Sequence, residues 1–356
     1  MGEFYYKIGI ESMDKKEAKL KKSIVIGGIC LLLGGFYFIW SFLSLDFSKI
    51  VFVLPSSERA SSPYYYQKDG DFFLASDLCY GLEKLGYKVE YRFREDYDNL
   101  KLGNAGNVIY FKGYADFEHL PAAKKDNRKR ILYVYYLEGL HPEILKEVDV
   151  VASASNRFIN ENLIPEGITG VYVPQFTNPE RFRPAKTDEG KHNEVLFVGS
   201  DHSGFGRKCV DYAVLAESNL SVYGKFWEKS LSPEYLKGKF INNDVLYQYY
   251  GNADIVLNDH REDMRHYGFI SNRIYDVTAT GGFVFTDYLP EIEEIYGDSI
   301  ATYKDFYDFK EKLDFYLKHP EIRKEMAEKA QKITLEKFTN VKVARIFDSI
   351  FKSIKK

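Results

Sequence analysis

The sequence predicts an α/β fold made of two parallel-sheet halves, preceded by a hydrophobic helix. Three observations carry this. Short β-rich runs alternate with helical patterns and glycines from Lys49 onward, the signature of βαβ units and a parallel sheet. A proline-bearing stretch, Pro174 to Pro184, interrupts that alternation. A second strand followed by a glycine-rich loop, Glu194 to Gly206, then restarts it. The 356 residues are enough for two cores. The expected divisions are a lysine-rich tail 1–23, a transmembrane helix 24–45, halves at 46–184 and 185–335, and a closing helix 336–356.

Ile24 to Leu45 runs without a charged residue. At about 1.5 Å rise per residue it spans roughly 33 Å, enough for a hydrocarbon core of ~30 Å. No small-x-small site closes the run, so a single-pass anchor is expected rather than a cleaved signal peptide. Lys7, Lys15, Lys16, Lys19, Lys21 and Lys22 precede it and favour an inside N-terminus with the main body outside. The net charge of -3 and the scattered lysines argue against nucleic acid as a partner. Cys30, Cys79 and Cys209 form no paired motif, so neither a disulfide frame nor a zinc site is implied.

In the first half, Lys49 to Pro55 reads as a buried strand and Ser56 to Gly70 as a loop. Asp71 opens a helix with Leu74, Leu78, Leu82 and Leu85 on one stripe, closed by Gly86. Val89 to Phe93, Val108 to Phe111, Ile131 to Tyr135 and Val148 to Ala152 read as further strands. A charged helical stretch is expected around Lys124 to Arg130. Glu138 and His141 follow a strand at its carboxyl end, where ligands bind in open α/β sheets. They are candidates for contact with a substrate, or members of an ordinary turn before Pro142.

In the second half, Gly199 and Ser200 follow a strand, and Arg207 and Lys208 stand at the mouth of the next helix. A glycine-bearing loop leading into a helix N-terminus suits a diphosphate. Leu220 to Tyr223 and Asp254 to Asn258 are strands, with a helix at Tyr247 to Ala253. The stretch Tyr267 to Pro290 is the most informative. Ile270, Ile274 and Val277 give a core-facing helical stripe, and Arg273, Asp276 and Thr280 share another face. Gly281 and Gly282 stop the helix before a strand, Phe283 to Thr286. By spacing alone, Arg273 either forks to a phosphate or pairs with Asp276. Asp259 beside His260 does not make a metal site. Phe306 to Leu317 and Pro320 to Lys332 are amphipathic helices.

The order Tyr-Gly, Asn-Arg-x-x-Asp, Ala-x-Gly-Gly, strand, Asp resembles the donor-binding segment of group-1 type GT-B glycosyltransferases, closest to the spore-maturation (CgeB-like) kind. The linker Asn178-Pro179-Glu180-Arg181-Phe182-Arg183-Pro184 and the Tyr223-Gly224-x-x-Trp227 loop are similar to that family's patterns too. The resemblance implies two Rossmann-like domains with a cleft between them. It implies sugar transfer from a nucleotide-sugar co-substrate to a glycan, lipid-linked or protein acceptor, with retention and without a bound metal, cofactor or nucleic acid, as in polysaccharide biosynthesis. Carried over residue by residue, it gives Gly199, Ser200, Arg207, Lys208, Tyr223, Gly224, Gly268, Asn272, Arg273 and Asp276 as donor-binding. Asp276 stands where the family has its ribose-holding glutamate. Arg207 and Arg273 serve catalysis with Glu138 and His141, and Gly70 and Asp71 lie on the acceptor side. The family's first glutamate has no counterpart: Asp263, Arg265 and His266 are the nearest polar residues before Gly268. A nucleotide-sugar enzyme belongs on the cytoplasmic side of the membrane, against the lysine bias. The other reading of the chain is a membrane-anchored, non-catalytic binding protein for a sugar or phosphate ligand.

Overall fold

The computed structural model describes residues 45–62, 70–113, 119–122 and 126–355. The tail 1–23 and all of the apolar run except Leu45 lie outside them. Among the described residues no helix is long and apolar enough to cross a membrane. Both sheets belong to one compact unit, Ser48–Lys356, in which they form two lobes.

The first lobe contains β1 (Asp46–Val53), α1 (Gly70–Glu83), β2 (Lys88–Arg92), β3 (Ala105–Lys112), β4 (Lys129–Val134), β5 (Val150–Ser153) and β6 (Gly170–Tyr172). Its strand order is β2-β1-β3-β4-β5-β6. The order reverses between β1 and β3. Strands β1 and β3 are buried on both faces at Ile50–Val53 and Val108–Phe111, as expected of a sheet covered on each side by helices.

The second lobe contains β7 (Asn193–Val198), α2 (Lys208–Leu215), β8 (Leu220–Tyr223), β9 (Leu236–Gly238), α3 (Asn243–Asn252), β10 (Ala253–Asn258), α4 (Glu262–Tyr267) and α5 (Asn272–Ala279). It continues through β11 (Val284–Asp287), α6 (Pro290–Tyr296), β12 (Ala301–Tyr303), α7 (Phe306–Lys318) and α8 (Pro320–Lys337). The order is β12-β11-β10-β7-β8-β9, and all five pairings are parallel. Here the reversal falls between β7 and β10.

The chain passes between the lobes twice, and the two crossings run side by side. Thr177 N–H donates to Phe338 O at 2.9 Å, and Asn340 N–H to Thr177 O at 2.8 Å. After the second crossing, α9 (Asn340–Ser353) packs on α1 and gives Val343, Ala344, Phe347, Ile350 and Phe351 to the first lobe's core. Their three- and four-residue spacing puts all five on one helical face.

One expected element is absent. Of Lys124 to Arg130, residues 123–125 lie outside the described set, residues 126–128 form a bend and turn, and Lys129 and Arg130 open β4. Asp126 accepts the Arg128 N–H at 2.9 Å and the Arg130 guanidinium at 2.7 Å. This local side-chain turn competes with a helix. Conversely, α4, α6, β9 and β12 go unmarked in the sequence reading.

Because α9 completes the first lobe's core, Phe347→Ala is expected to cost about 3–4 kcal/mol. Urea unfolding would read this as a lower midpoint; an unchanged midpoint would show that the helix is not part of the core.

Candidate functional site

Each strand delivers its outgoing loop at its carboxyl end, so both reversal points become crevices. The second lobe's crevice lies between the ends of β7 and β10, and two arginines span it. Arg273, in the first turn of α5, donates from Nη1 to Asn258 Oδ1 at 2.6 Å, on β10. From Nη2 it donates to Val198 O at 2.7 Å, on β7. Arg207, at the N-cap of α2, donates from Nη2 to Asp259 O at 2.9 Å and ion-pairs with the Asp259 carboxylate. Both guanidinium groups lie near the Phe197 ring, 4.8 and 5.4 Å from its centroid. Arg273 therefore does not pair with Asp276: it is bonded to the sheet, and Asp276 accepts from Asn272 Nδ2 at 2.9 Å instead.

The neighbouring loops are fitted tightly. Trp227 Nε1 donates to Gly199 O at 2.8 Å, and the Lys225 N–H to Ser200 Oγ at 3.1 Å. A side chain at Gly224 would place its Cβ 1.9 Å from Gly199 O; only glycine fits there. Tyr223 is partly buried against Tyr249. Lys208 is exposed and lines a cavity of about 650 Å³ with Asp259, His260, Arg265, Asp287 and Tyr288.

His260 lies fully buried at that cavity's base. Its Nδ1 is 2.7 Å from Asp287 Oδ1, and its Nε2 accepts the Ser271 N–H at 3.0 Å. A nitrogen that accepts carries no proton, so the ring is neutral and protonated at Nδ1. Ser271 is the N-cap of α5, so this imidazole holds the helix entry. Gly268, expected at that entry, instead closes α4 with φ of 71°. A Cβ there would fall 2.2 Å from Glu291 Oε1.

The carboxyl ends of the two sheets face each other. Glu138, after β4, pairs with Arg261, after β10, at 2.8 Å. Ser155, after β5, donates to Tyr267 O. Arg157 reaches His266 O at 3.0 Å and Glu291 at 2.5 Å. His141 is exposed and lies in the lining of neither this cavity nor the larger one of about 800 Å³ bounded by Glu138, Arg261 and Tyr267. Asp71, at the start of α1, accepts from Tyr135 Oη at 2.7 Å, and its carboxylate lies where a Cβ on Gly113 would be, 2.2 Å from Oδ1. Asp71 and Gly113 thus mark the first lobe's own reversal point; Gly70 is exposed beside them. Among the described residues, no three His, Cys, Asp or Glu side chains converge to hold a metal ion.

Asp276 is partly buried at the junction of the lobes. Burial pushes its carboxyl up to about 7, with Arg181 and Thr177 countering the rise and Asp77 adding to it. Arg181 and Asn178 pair with Asp77 of α1. Asp276 Oδ1, Asn272 Oδ1, Thr177 Oγ1 and Arg181 Nε are all sealed from solvent without a hydrogen-bond partner. An orphaned carboxylate oxygen with three further orphaned polar atoms forms a place that asks for hydroxyl or water partners.

The geometry defines a class: two parallel α/β lobes with a polar site at the reversal point of the second, the GT-B glycosyltransferase architecture. Residues 207–348 match a family model described as glycosyl transferase-like. The spore protein CgeB of Bacillus subtilis (strain 168) is 32% identical over 186 residues, covering 47% of this chain and 57% of that protein; the chain thus spans little more than half of this relative. Sucrose-phosphate synthase from Thermosynechococcus elongatus superposes with a TM-score of 0.61 at 10% identity, covering 85% of this chain and 98% of that one. An alpha-glucosyltransferase in complex with UDP-glucose and DNA containing an abasic site gives 0.60 at 11%, covering 86% and 99%. At such identities the structures show the fold, and the sequence matches show a similarity over part of the chain to the glycosyl transferase-like family model and to the spore protein CgeB.

Asp276 gives a pH signature. Between about pH 4 and 7 the folded protein holds a proton that the unfolded chain has released. Its contribution to stability therefore falls as pH rises through that window and stays low above it. Asp276→Asn is expected to flatten this slope and to gain on the order of 1–3 kcal/mol at pH 8. Denaturant titrations at pH 5 and pH 8 would show it; identical slopes in both proteins would remove Asp276 as the source.

Proposed function

We propose that this protein is a retaining, metal-independent glycosyltransferase using a nucleotide-sugar donor. The observation that carries the reading is the meeting of Arg207, Lys208 and the α5 entry at the second lobe's reversal point, within residues that match the glycosyl transferase-like model. In the reaction, the bond from the sugar's anomeric carbon to the β-phosphate oxygen breaks. Its electron pair leaves with the nucleoside diphosphate. A bond forms from the same carbon to the acceptor hydroxyl oxygen, whose proton is released. Lys208 and Arg207, with the helix N-termini they occupy or adjoin, meet the charge that builds on the leaving diphosphate. Arg273 supports the crevice from below by tying β7 to β10.

Asp276 and the orphaned atoms around it are assigned to the ribose hydroxyls, with Tyr223 and Gly224 along the base. Glu138, paired with Arg261 of the other lobe, faces the sugar or acceptor hydroxyl. Asp71 is assigned to the acceptor side. The apolar run 24–45, read from sequence, serves as an anchor that suits a glycan or lipid-linked acceptor on the cytoplasmic side.

Lys208 is exposed and makes no fold-holding bond, so it separates chemistry from stability. With the nucleotide sugar that a UDP, GDP, ADP and CMP panel identifies, Lys208→Ala is expected to lower nucleotide release by about 100-fold. Its Tm should stay within about 2 °C. Unchanged turnover would take Lys208 out of the mechanism, and no turnover with any donor in the wild type would contradict the reading.

A further inference from the structure

We propose that His260 is a positioning residue for the donor site: its neutral, Nδ1-protonated imidazole, fixed by Asp287, holds the entry of α5 through the Ser271 N–H. The ring joins three elements. Asp287 ends β11 and receives both the His260 side chain, at 2.7 Å, and the His260 backbone N–H, at 3.1 Å. Thr286 Oγ1 donates to the same oxygen at 3.1 Å and itself receives the Asn258 amide at 2.9 Å. Asn258 is the residue that Arg273 grips. The chain Ser271–His260–Asp287–Thr286–Asn258–Arg273 therefore closes on itself, beginning and ending in the first residues of α5.

Such a ring fixes both the height and the rotation of the helix entry. A lone arginine would fix only one point. It also depends on protonation, because a proton on Nε2 would face the Ser271 N–H donor to donor. The charged groups around the ring are Asp287 itself, Arg265 of α4 at 3.5 Å from Asp287 Oδ2, and the Arg207–Asp259 pair at the mouth of α2. Lys208, Glu262 and His266 line the adjoining cavity. A second proton on the imidazole would therefore keep the Asp287 side of the ring and break the Ser271 side.

This inference rests on the glycosyltransferase reading for its ligand but not for its geometry, so the test has two arms. In the full chain labelled with 15N-histidine, two-bond proton–nitrogen spectra at pH 7.5 are expected to show His260 as the Nδ1–H tautomer. Ser271 amide exchange is expected to be slow at pH 7.5 and to become faster in His260→Asn at the same pH. An Nε2–H tautomer, or a Ser271 amide that exchanges freely at pH 7.5, would overturn the proposal whatever the protein binds.

The second arm uses whichever of UDP, GDP, ADP and CMP binds the wild type. His260→Gln keeps an acceptor oxygen near the position of Nε2 and should hold affinity within about threefold, whereas His260→Asn reaches only Asp287 and should lose about tenfold. Equal affinities in both variants would overturn the positioning role. Absence of binding by every nucleotide would overturn the donor-site reading itself, with the tautomer measurement still deciding the geometry.

Discussion

A parallel strand must send its chain out at its carboxyl end, and where strand order reverses, two such exits diverge and leave a gap. This chain has two reversals, and nearly every polar feature described here stands at one of them. At the second lobe's gap the two sides are cross-tied by Arg273 and Arg207. At the first lobe's gap Asp71 fills the space that Gly113 leaves. Contacts such as Glu138 with Arg261 hold the two sets of strand ends face to face. Remove the parallel connectivity and none of these residues has a reason to be near another.

The energetics of the site are divided by role. Groups that hold the crevice are paired: Arg207 with Asp259, Arg273 with Asn258 and a carbonyl, His260 with Asp287. Breaking one side of such a pair leaves a buried partner unsatisfied, which costs more than the bond itself contributes. Lys208 and Asp276, also assigned to the ligand, are left under-satisfied instead. Lys208 is exposed, and Asp276 keeps an orphaned oxygen at a cost in stability above neutral pH. Strain of this kind is tolerated where something else supplies the partner, and it concentrates at the lobe junction, where the two crossings at Thr177 and Phe338 run together.

Much of the fold was legible because it is local. The stripe of Ile270, Ile274 and Val277, the Gly281 stop, the β-branched strands and the proline-bearing linker each declare themselves within a few residues. The family-like order of the 267–290 segment added the architecture and the donor-side residues. What could not be read depends on register between distant strands. His260 meets Asp287 only because β10 and β11 lie in register at Asn258 and Thr286. Arg207 meets Asp259 across the gap for the same reason. Gly268 looked like the entry to α5 because the short helix before it carries no long apolar stripe; its left-handed backbone in fact ends that helix. Around Asp126, a side-chain turn overrode a charged run that reads as helix. Neither His141 nor Glu138 could be sorted by sequence, since both are exposed and only placement shows that Glu138 pairs with Arg261 across the lobes.

The central claim is that the second lobe's reversal point receives a nucleoside diphosphate. The most direct measurement is a crystal structure of the protein soaked with the nucleoside diphosphate that binds best in solution. The account predicts phosphates against Lys208 and the α5 entry, with ribose hydroxyls on Asp276. A nucleotide bound elsewhere on the molecule, with the crevice between β7 and β10 empty, would contradict it.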